Sequence, residues 1–260
     1  MAFELEEDLA LRAAQKAAGA IMRYFRRDFE VRDKGHGNPV TQADLEANDI
    51  LRTMLVEAFP SYHWLSEESA QRAEGYGEEP TWVIDPLDGT ADFVAGLAEF
   101  AVSVGLVAGG RARVAAVVNP ATGEAWSARE GAGATLNGAP IRVTAATDLS
   151  TARVLVSRSE HRRGDIAPFS PRLRMEPVGS IAYKLCRVAS GDGDAVFTRN
   201  PRSLWDVCGG ALVLAEAGGR VTDGVGQPIA FLPDRLRVPR IIGAAPGLFE
   251  PLLALLTWTP

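Results

Sequence analysis

The chain has 260 residues, 47% of them hydrophobic, with a formal net charge of −6 and an acidic pI, so it can bury a sizeable core as one large domain or as two smaller, intimately packed halves. The acidic balance argues against a general affinity for nucleic acid, which requires a surplus of Lys and Arg, and an anionic small substrate would need local help from metal ions. No uninterrupted apolar run is long enough to cross a membrane, the acidic residues 1–8 lack the basic start and apolar core of a signal peptide, and the two cysteines, Cys186 and Cys208, lie in apolar stretches as reduced thiols of a cytoplasmic protein would.

Residues 5–25 carry apolar side chains at Leu5, Leu9, Ala13, Ala17, Ile21 and Phe25, a spacing of four that predicts an amphipathic helix. Its early turn is acidic and its end carries Arg23, Arg26 and Arg27, as the helix dipole favours. Residues 33–39, rich in Gly and Pro, read as a mobile loop holding Lys34 and His36. Thr41 with Asp44 reads as a helix-capping pair, and Asp44 could in addition orient a catalytic hydroxyl. A second helix over 45–59 places Leu45, Ile50, Leu51, Met54, Leu55 and Ala58 on one side and is stopped by Pro60. Residues 64–69 are a short strand running into the paired acids Glu67 and Glu68, either of them solvated surface or a reach toward a metal, and 71–80 is a polar loop.

The chain is organised around residues 82–93. The apolar run Trp82, Val83, Ile84 predicts a buried strand that ends in two carboxylates, Asp85 and Asp88, with Pro86 between them to stop ladder pairing. Gly89 and Thr90 follow with a flexible backbone, a hydroxyl and N–H groups at a possible helix start, which suit a phosphate. Asp-Pro and Asp-Gly are common turn dipeptides, and what raises this stretch above a turn is the density of acids directly after a hydrophobic strand. Hard oxygen ligands beside anion-binding amides point to magnesium and phosphate.

Residues 101–108 and 114–118 predict a hairpin joined by Gly109-Gly110, continued by 123–128 and by an Asn137-Gly138 turn into an antiparallel sheet over about 100–143. Residues 145–151 lack apolar periodicity and mark the boundary between an N-terminal α+β half, 1–147, and a C-terminal α/β half, 148–260. The second half opens with a strand over 154–156 that delivers Ser157, Arg158 and Ser159. Gly179-Ser180 before an apolar helix over 181–189 is either a helix cap or a second phosphate-binding corner, and Asp206 stands at the start of a helix ending near Ala217. Asp192 and Asp194 read as a turn, because the later ligands of a calcium loop are missing.

With 82–93, 205–219 and Glu67-Glu68-Ser69 in this order, the chain resembles the inositol monophosphatase family over nearly its whole length. The resemblance implies a layered αβαβα sandwich of α+β class, commonly a homodimer, that hydrolyses a small phosphorylated metabolite with two or three Mg²⁺ ions. It implies Glu67, Asp85, Asp88, Asp206 and the carbonyl of Leu87 as metal ligands, Thr90 paired with Asp44 as a catalytic couple with Glu67, and Gly89 and Thr90 on the phosphate. A metal-activated water would attack phosphorus without a covalent enzyme intermediate. The position at which inositol-specific members carry a polyol-binding Glu is Arg199 here; with Arg158, Lys184 and Ser180 it fits the branch that removes a 3′-phosphate from adenosine 3′,5′-bisphosphate as well as an inositol monophosphate. A non-catalytic regulator of the same fold that binds RNA polymerase or RNA is the alternative, against which the intact carboxylate set and the acidic charge both speak.

Overall fold

A computed structural model describes residues 2–27, 31–33, 39–69, 79–232 and 235–258, so the expectations for Lys34 and His36 lie outside the described residues. In chain order the elements are α1 (Glu4–Ile21), β1 (Val31–Asp33), β2 (Pro39–Thr41), α2 (Gln42–Ala58), β3 (His63–Ser66), β4 (Thr81–Asp88) and α3 (Thr90–Val94). A meander follows: β5 (Ala101–Ala108), β6 (Arg111–Asn119), β7 (Glu124–Arg129), β8 (Gly133–Leu136) and β9 (Ala139–Pro140). The second half contains β10 (Arg153–Ser157), α4 (Arg158–Arg163), β11 (Arg174–Val178), α5 (Ile181–Ala189), β12 (Ala195–Phe197), β13 (Arg202–Ser203) and α6 (Leu204–Glu216). It closes with β14 (Arg220–Asp223), β15 (Arg237–Val238), β16 (Ile241–Ala244) and α7 (Pro246–Trp258).

Two sheets carry the fold: seven strands in the order β3-β4-β5-β6-β7-β8-β9, and five in the order β11-β10-β12-β16-β14. Helices α1 and α2 pack on one face of the larger sheet, α5 and α6 lie between the sheets, and α4 and α7 contact the smaller one. The result is the expected αβαβα layering. Side-chain alternation explains why each strand serves two layers. Trp82 and Ile84 join the core under α1 and α2 while Val83 joins the middle core, and Val154 and Val156 face the outer core of Phe249 and Leu252 while Leu155 faces the middle one.

Four expectations are corrected in part or in whole. The period-four stripe of the first helix is buried at Ala13, Ala17 and Ile21 but not at its start, where Leu5 is 76% exposed; Ala10, Ala14 and Ala18 widen the buried face, small residues that let α1 lie close against α2 and the sheet. That helix also ends at Ile21, so Arg23, Arg26 and Arg27 fall beyond its last turn. In α2, Leu51 and Leu55 are buried as expected, but Leu45 is 39% exposed, and Ala43 and Ala47 complete the buried face. The large sheet begins at His63 rather than near residue 100, because β3 pairs parallel with β4. Residues 224–258, which carry no sequence signal used above, supply β16 in the interior of the smaller sheet and the apolar α7.

Candidate active site

The site is built on a bulge. Pro86 has no N–H to give the ladder, yet β4 does not stop there: it runs on to Asp88 with one extra residue between the Asp85–Ser103 and Asp88–Ala101 pairs. In a regular strand, residues three apart point to opposite faces; the extra residue restores parity and sends Asp85 and Asp88 out on the same face, toward α6. Asp85 Oδ1 accepts the Leu87 N–H at 2.9 Å, which holds the bulge in shape. Glu67 arrives from the single 3₁₀ turn that ends β3, the parallel neighbour of β4. Asp206 arrives from the third position of α6, where it also accepts the Ser203 N–H at 3.1 Å as a cap.

Glu67, Asp85 and Asp206 thereby present carboxylate oxygens that all lie within 4.8 Å of one another. Burial, and then repulsion by the neighbouring carboxylates, pushes Asp85 and Asp206 well above the usual carboxylate range. Such a set of close, partly buried hard oxygens fits a divalent cation such as Mg²⁺, which would supply the charge the cluster lacks. Asp88 stands beside this trio with a second engagement. Its Oδ2 accepts the Ser180 hydroxyl at 2.5 Å and the Ala182 N–H at 2.7 Å, so it ties β4 to the start of α5. Burial raises its pKa, opposed by those hydrogen bonds and by Lys184 and Arg202.

Asp44 contacts two elements. Its Oδ2 accepts the Thr41 N–H at 2.8 Å and hydroxyl at 2.6 Å in the capping box of α2, while Oδ1 lies 3.2 Å from the Thr90 hydroxyl. The same hydroxyl lies 2.9 Å from the Leu87 carbonyl, so Thr90 sits between its acidic partner and the backbone of the bulge. Gly89 precedes it at φ +96°; a Cβ there would meet the Glu99 carbonyl at 2.9 Å, so the tight passage from strand to helix needs glycine.

A cleft of about 360 Å³ opens over these groups, lined by the acidic cluster and Thr90 together with Ser157, Arg158, Ser180 and Lys184. The cations expected to hold substrate are each engaged within the protein. Lys184 is buried, its Nζ donating to the carbonyls of Val178 (3.0 Å), Gly179 (3.2 Å) and Ser180 (2.8 Å), and burial with the nearby Arg202 pushes its pKa down to about 8. It staples the turn before α5 and has no donor left for an anion. Arg158 is paired with Asp92 at 3.0 Å and with Glu99, two carboxylates for one guanidinium. Arg199 does not line the cleft at all, its guanidinium lying over the Phe169 ring at 5.4 Å. Ser180 caps α5 with its hydroxyl given to Asp88, at a strained φ of +48°. Missing from the sequence reading is Arg202, four residues before Asp206, which lines the cleft and pairs with the buried Glu160 at 2.9 Å. Its only signal was a cation just ahead of a helix cap.

Comparison with known proteins gives the same picture over the whole length. The model of the inositol monophosphatase family matches residues 4–259. The chain is 35% identical over 231 residues to inositol monophosphatase 3 of Solanum lycopersicum, covering 85% of this chain and 86% of that protein. It is 34% identical over 229 residues to the Nus factor SuhB of Vibrio cholerae, covering 84% and 85%. The solved inositol monophosphatase of Anabaena superposes with a TM-score of 0.86 at 27% identity, covering 100% of this chain and 98% of that one. On the family match and on the shared fold that carries the converging carboxylates, the chain belongs to the inositol monophosphatase family.

Proposed function

We propose that the chain is a Mg²⁺-dependent phosphomonoesterase that hydrolyses a small phosphate ester, an inositol monophosphate or 3′-phosphoadenosine 5′-phosphate, to the alcohol and inorganic phosphate. The observation that carries this reading is the convergence of Glu67, Asp85 and Asp206, from three separate segments, beside Thr90 and its partner Asp44. Glu67, Asp85, Asp88, Asp206 and the Leu87 carbonyl are the groups that would hold two or three Mg²⁺ ions. Magnesium bound there supplies a Lewis acid for the phosphoryl oxygens and a more acidic water.

The protein's own contribution is to position. Asp44, already fixed by the α2 cap, orients the Thr90 hydroxyl, and the couple with Glu67 aligns water against the phosphorus on the side opposite the ester oxygen. Gly89 and Thr90 offer backbone N–H groups to the phosphate oxygens, and the oxygen of the P–O bond that breaks leaves with the alcohol part, which the rest of the cleft lining receives. Ser180 acts through Asp88 and Lys184 through the Gly179-Ser180 turn, so both are positioning residues in this reading. We also read the protein as a cytoplasmic homodimer; the two cysteines are buried and free, and among the described residues no helix is long and apolar enough to cross a membrane.

The relative named Nus factor SuhB supports a second reading, a regulatory protein of this fold that binds RNA polymerase or RNA. A phosphate-release panel with Mg²⁺ over inositol 1-phosphate, adenosine 3′,5′-bisphosphate, fructose 1,6-bisphosphate and NADP separates the two. Release from at least one ester, lost on chelation, is expected. No release from any of them, with stoichiometric recovery of a partner in a pull-down, would reverse the order.

A further inference from the structure

The geometry points to Arg202 as the specificity-determining residue of the cleft, held by Glu160 so as to receive an anionic group, a second phosphate or a carboxylate, on the alcohol part of the ester. This rests on the phosphomonoesterase reading and deepens it. Of the other cations lining the cleft, Arg158 is neutralised by two carboxylates, Lys184 has spent its hydrogens on three carbonyls, Arg163 pairs with Asp165 at 2.9 Å, and Arg162 is an exposed side chain that no buried partner among the described residues holds in place. Arg202 is held otherwise. Its backbone is fixed in β13 opposite Val238, and the only hydrogen bond its guanidinium makes among the described residues is from Nη2 to Glu160 Oε1 at 2.9 Å.

Glu160 is completely buried, and its oxygens also accept the Arg199 N–H (3.1 Å) and the Asn200 N–H (3.0 Å) and amide (3.1 Å), so it cannot swing away. Breaking a buried ion pair is costly, which fixes the guanidinium in place. Its Nε is buried out of a ligand's reach, so the donors left for one are Nη1 and the second hydrogen of Nη2. With the phosphate at Gly89 and Thr90 beside the carboxylates, the alcohol part meets the rest of the cleft wall, which includes Arg202 and the exposed Arg162. A planar fork with unused donors on that wall matches phosphate or carboxylate better than a neutral polyol.

The test uses the full chain with Mg²⁺, wild type against Arg202→Met and Arg202→Lys, with melting temperature as the check on folding. Two matched pairs of esters are compared by kcat/KM: adenosine 3′,5′-bisphosphate with adenosine 3′-monophosphate, for a second phosphate, and 3-phosphoglycerate with glycerol 3-phosphate, for a carboxylate. Wild type is expected to favour the anion-bearing member of at least one pair. Arg202→Met should reduce that preference at least tenfold, mainly through KM, and Arg202→Lys should restore part of it. An equal fall on both members of each pair, or an unchanged preference, overturns the assignment. A binding arm needs no turnover: adenosine 5′-monophosphate should raise the melting temperature more than adenosine does in wild type and not in Arg202→Met. Loss of that difference in a protein that releases no phosphate would retain Arg202 and sink the phosphatase reading. Phosphate release with no such difference in either arm would do the reverse.

Discussion

At the scale of single residues, the acidic cluster sets up an opposition between stability and chemistry. In the metal-free protein Asp85 is buried beside Glu67, Asp88 and Asp206, and replacing it by Asn removes a repelled charge while keeping an acceptor for the Leu87 N–H. Asp85→Asn should therefore melt higher than wild type without metal and yet lose at least about 100-fold of Mg²⁺-dependent phosphate release; a variant that is both less stable and fully active would refute the cluster's role. The pH dependence has the matching sign. Because the folded-state pKa values of Asp85 and Asp206 are raised above their unfolded values, the metal-free native state binds more protons than the unfolded chain in the window above the ordinary carboxylate range. Stability of the metal-free protein is lost as pH rises through that window, so the rise in melting temperature on adding Mg²⁺ should be larger at neutral pH than in mild acid, with proton release seen by calorimetry in two buffers. Thr90→Val, which spares the α2 cap that Asp44→Asn would damage, should cut turnover about 100-fold with a loss of only about 1 kcal/mol in unfolding free energy.

At the scale of elements, the site depends on how strand and helix ends are joined. The bulge in β4 aims two carboxylates the same way, Asp88 ties the N-terminal turn of α5 to it, and Ser103 Oγ in β5 donates to the Trp205 carbonyl in the first turn of α6. The turn into α5 is the most constrained junction. Gly179 packs so tightly that a Cβ would sit 2.4 Å from Asp92 Oδ2, and Lys184 Nζ gathers the carbonyls of Val178, Gly179 and Ser180. Lys184→Met should cost about 1–3 kcal/mol of stability, the penalty for unmatched buried acceptors, and should weaken activity by displacing Ser180 and Asp88. Equal stability of this variant and wild type in urea unfolding would show that the turn does not need the staple.

At the scale of the whole molecule, the two sheets share one core. Leu65, Val83 and Trp126 from the first half and Leu155, Val196 and Leu212 from the second belong to the same cluster, and Trp126 Nε1 donates to Ser190 Oγ at 2.6 Å across the two. We propose the division at 147/148 as a change of sheet within one cooperative unit. Urea unfolding followed by tryptophan fluorescence and by far-ultraviolet dichroism should give coincident transitions; two separated transitions would mean the halves fold independently.

What was legible in the sequence was local. Apolar runs followed by acids, Gly-Gly and Asn-Gly turns, and the Thr41/Asp44 box are decided within a few residues, by backbone sterics and hydrogen-bonding capacity, and they returned as β4, the meander and the α2 cap. The residue types of the metal cluster could be read for the same reason, since hard acids are scarce directly after a buried strand. Charge on Arg158, Lys184 and Arg199 was legible too, but not its use, because an ion's role depends on which partner lies within a few ångströms, and those partners come from far along the chain: Glu99, the Val178–Ser180 carbonyls and Phe169. The sequence by itself determined the fold class and the kind of chemistry the carboxylates support. Only the tertiary structure decided which cations are already neutralised and that Arg202, held by a buried Glu160, faces the cleft, since burial and distance exist only once both halves have packed.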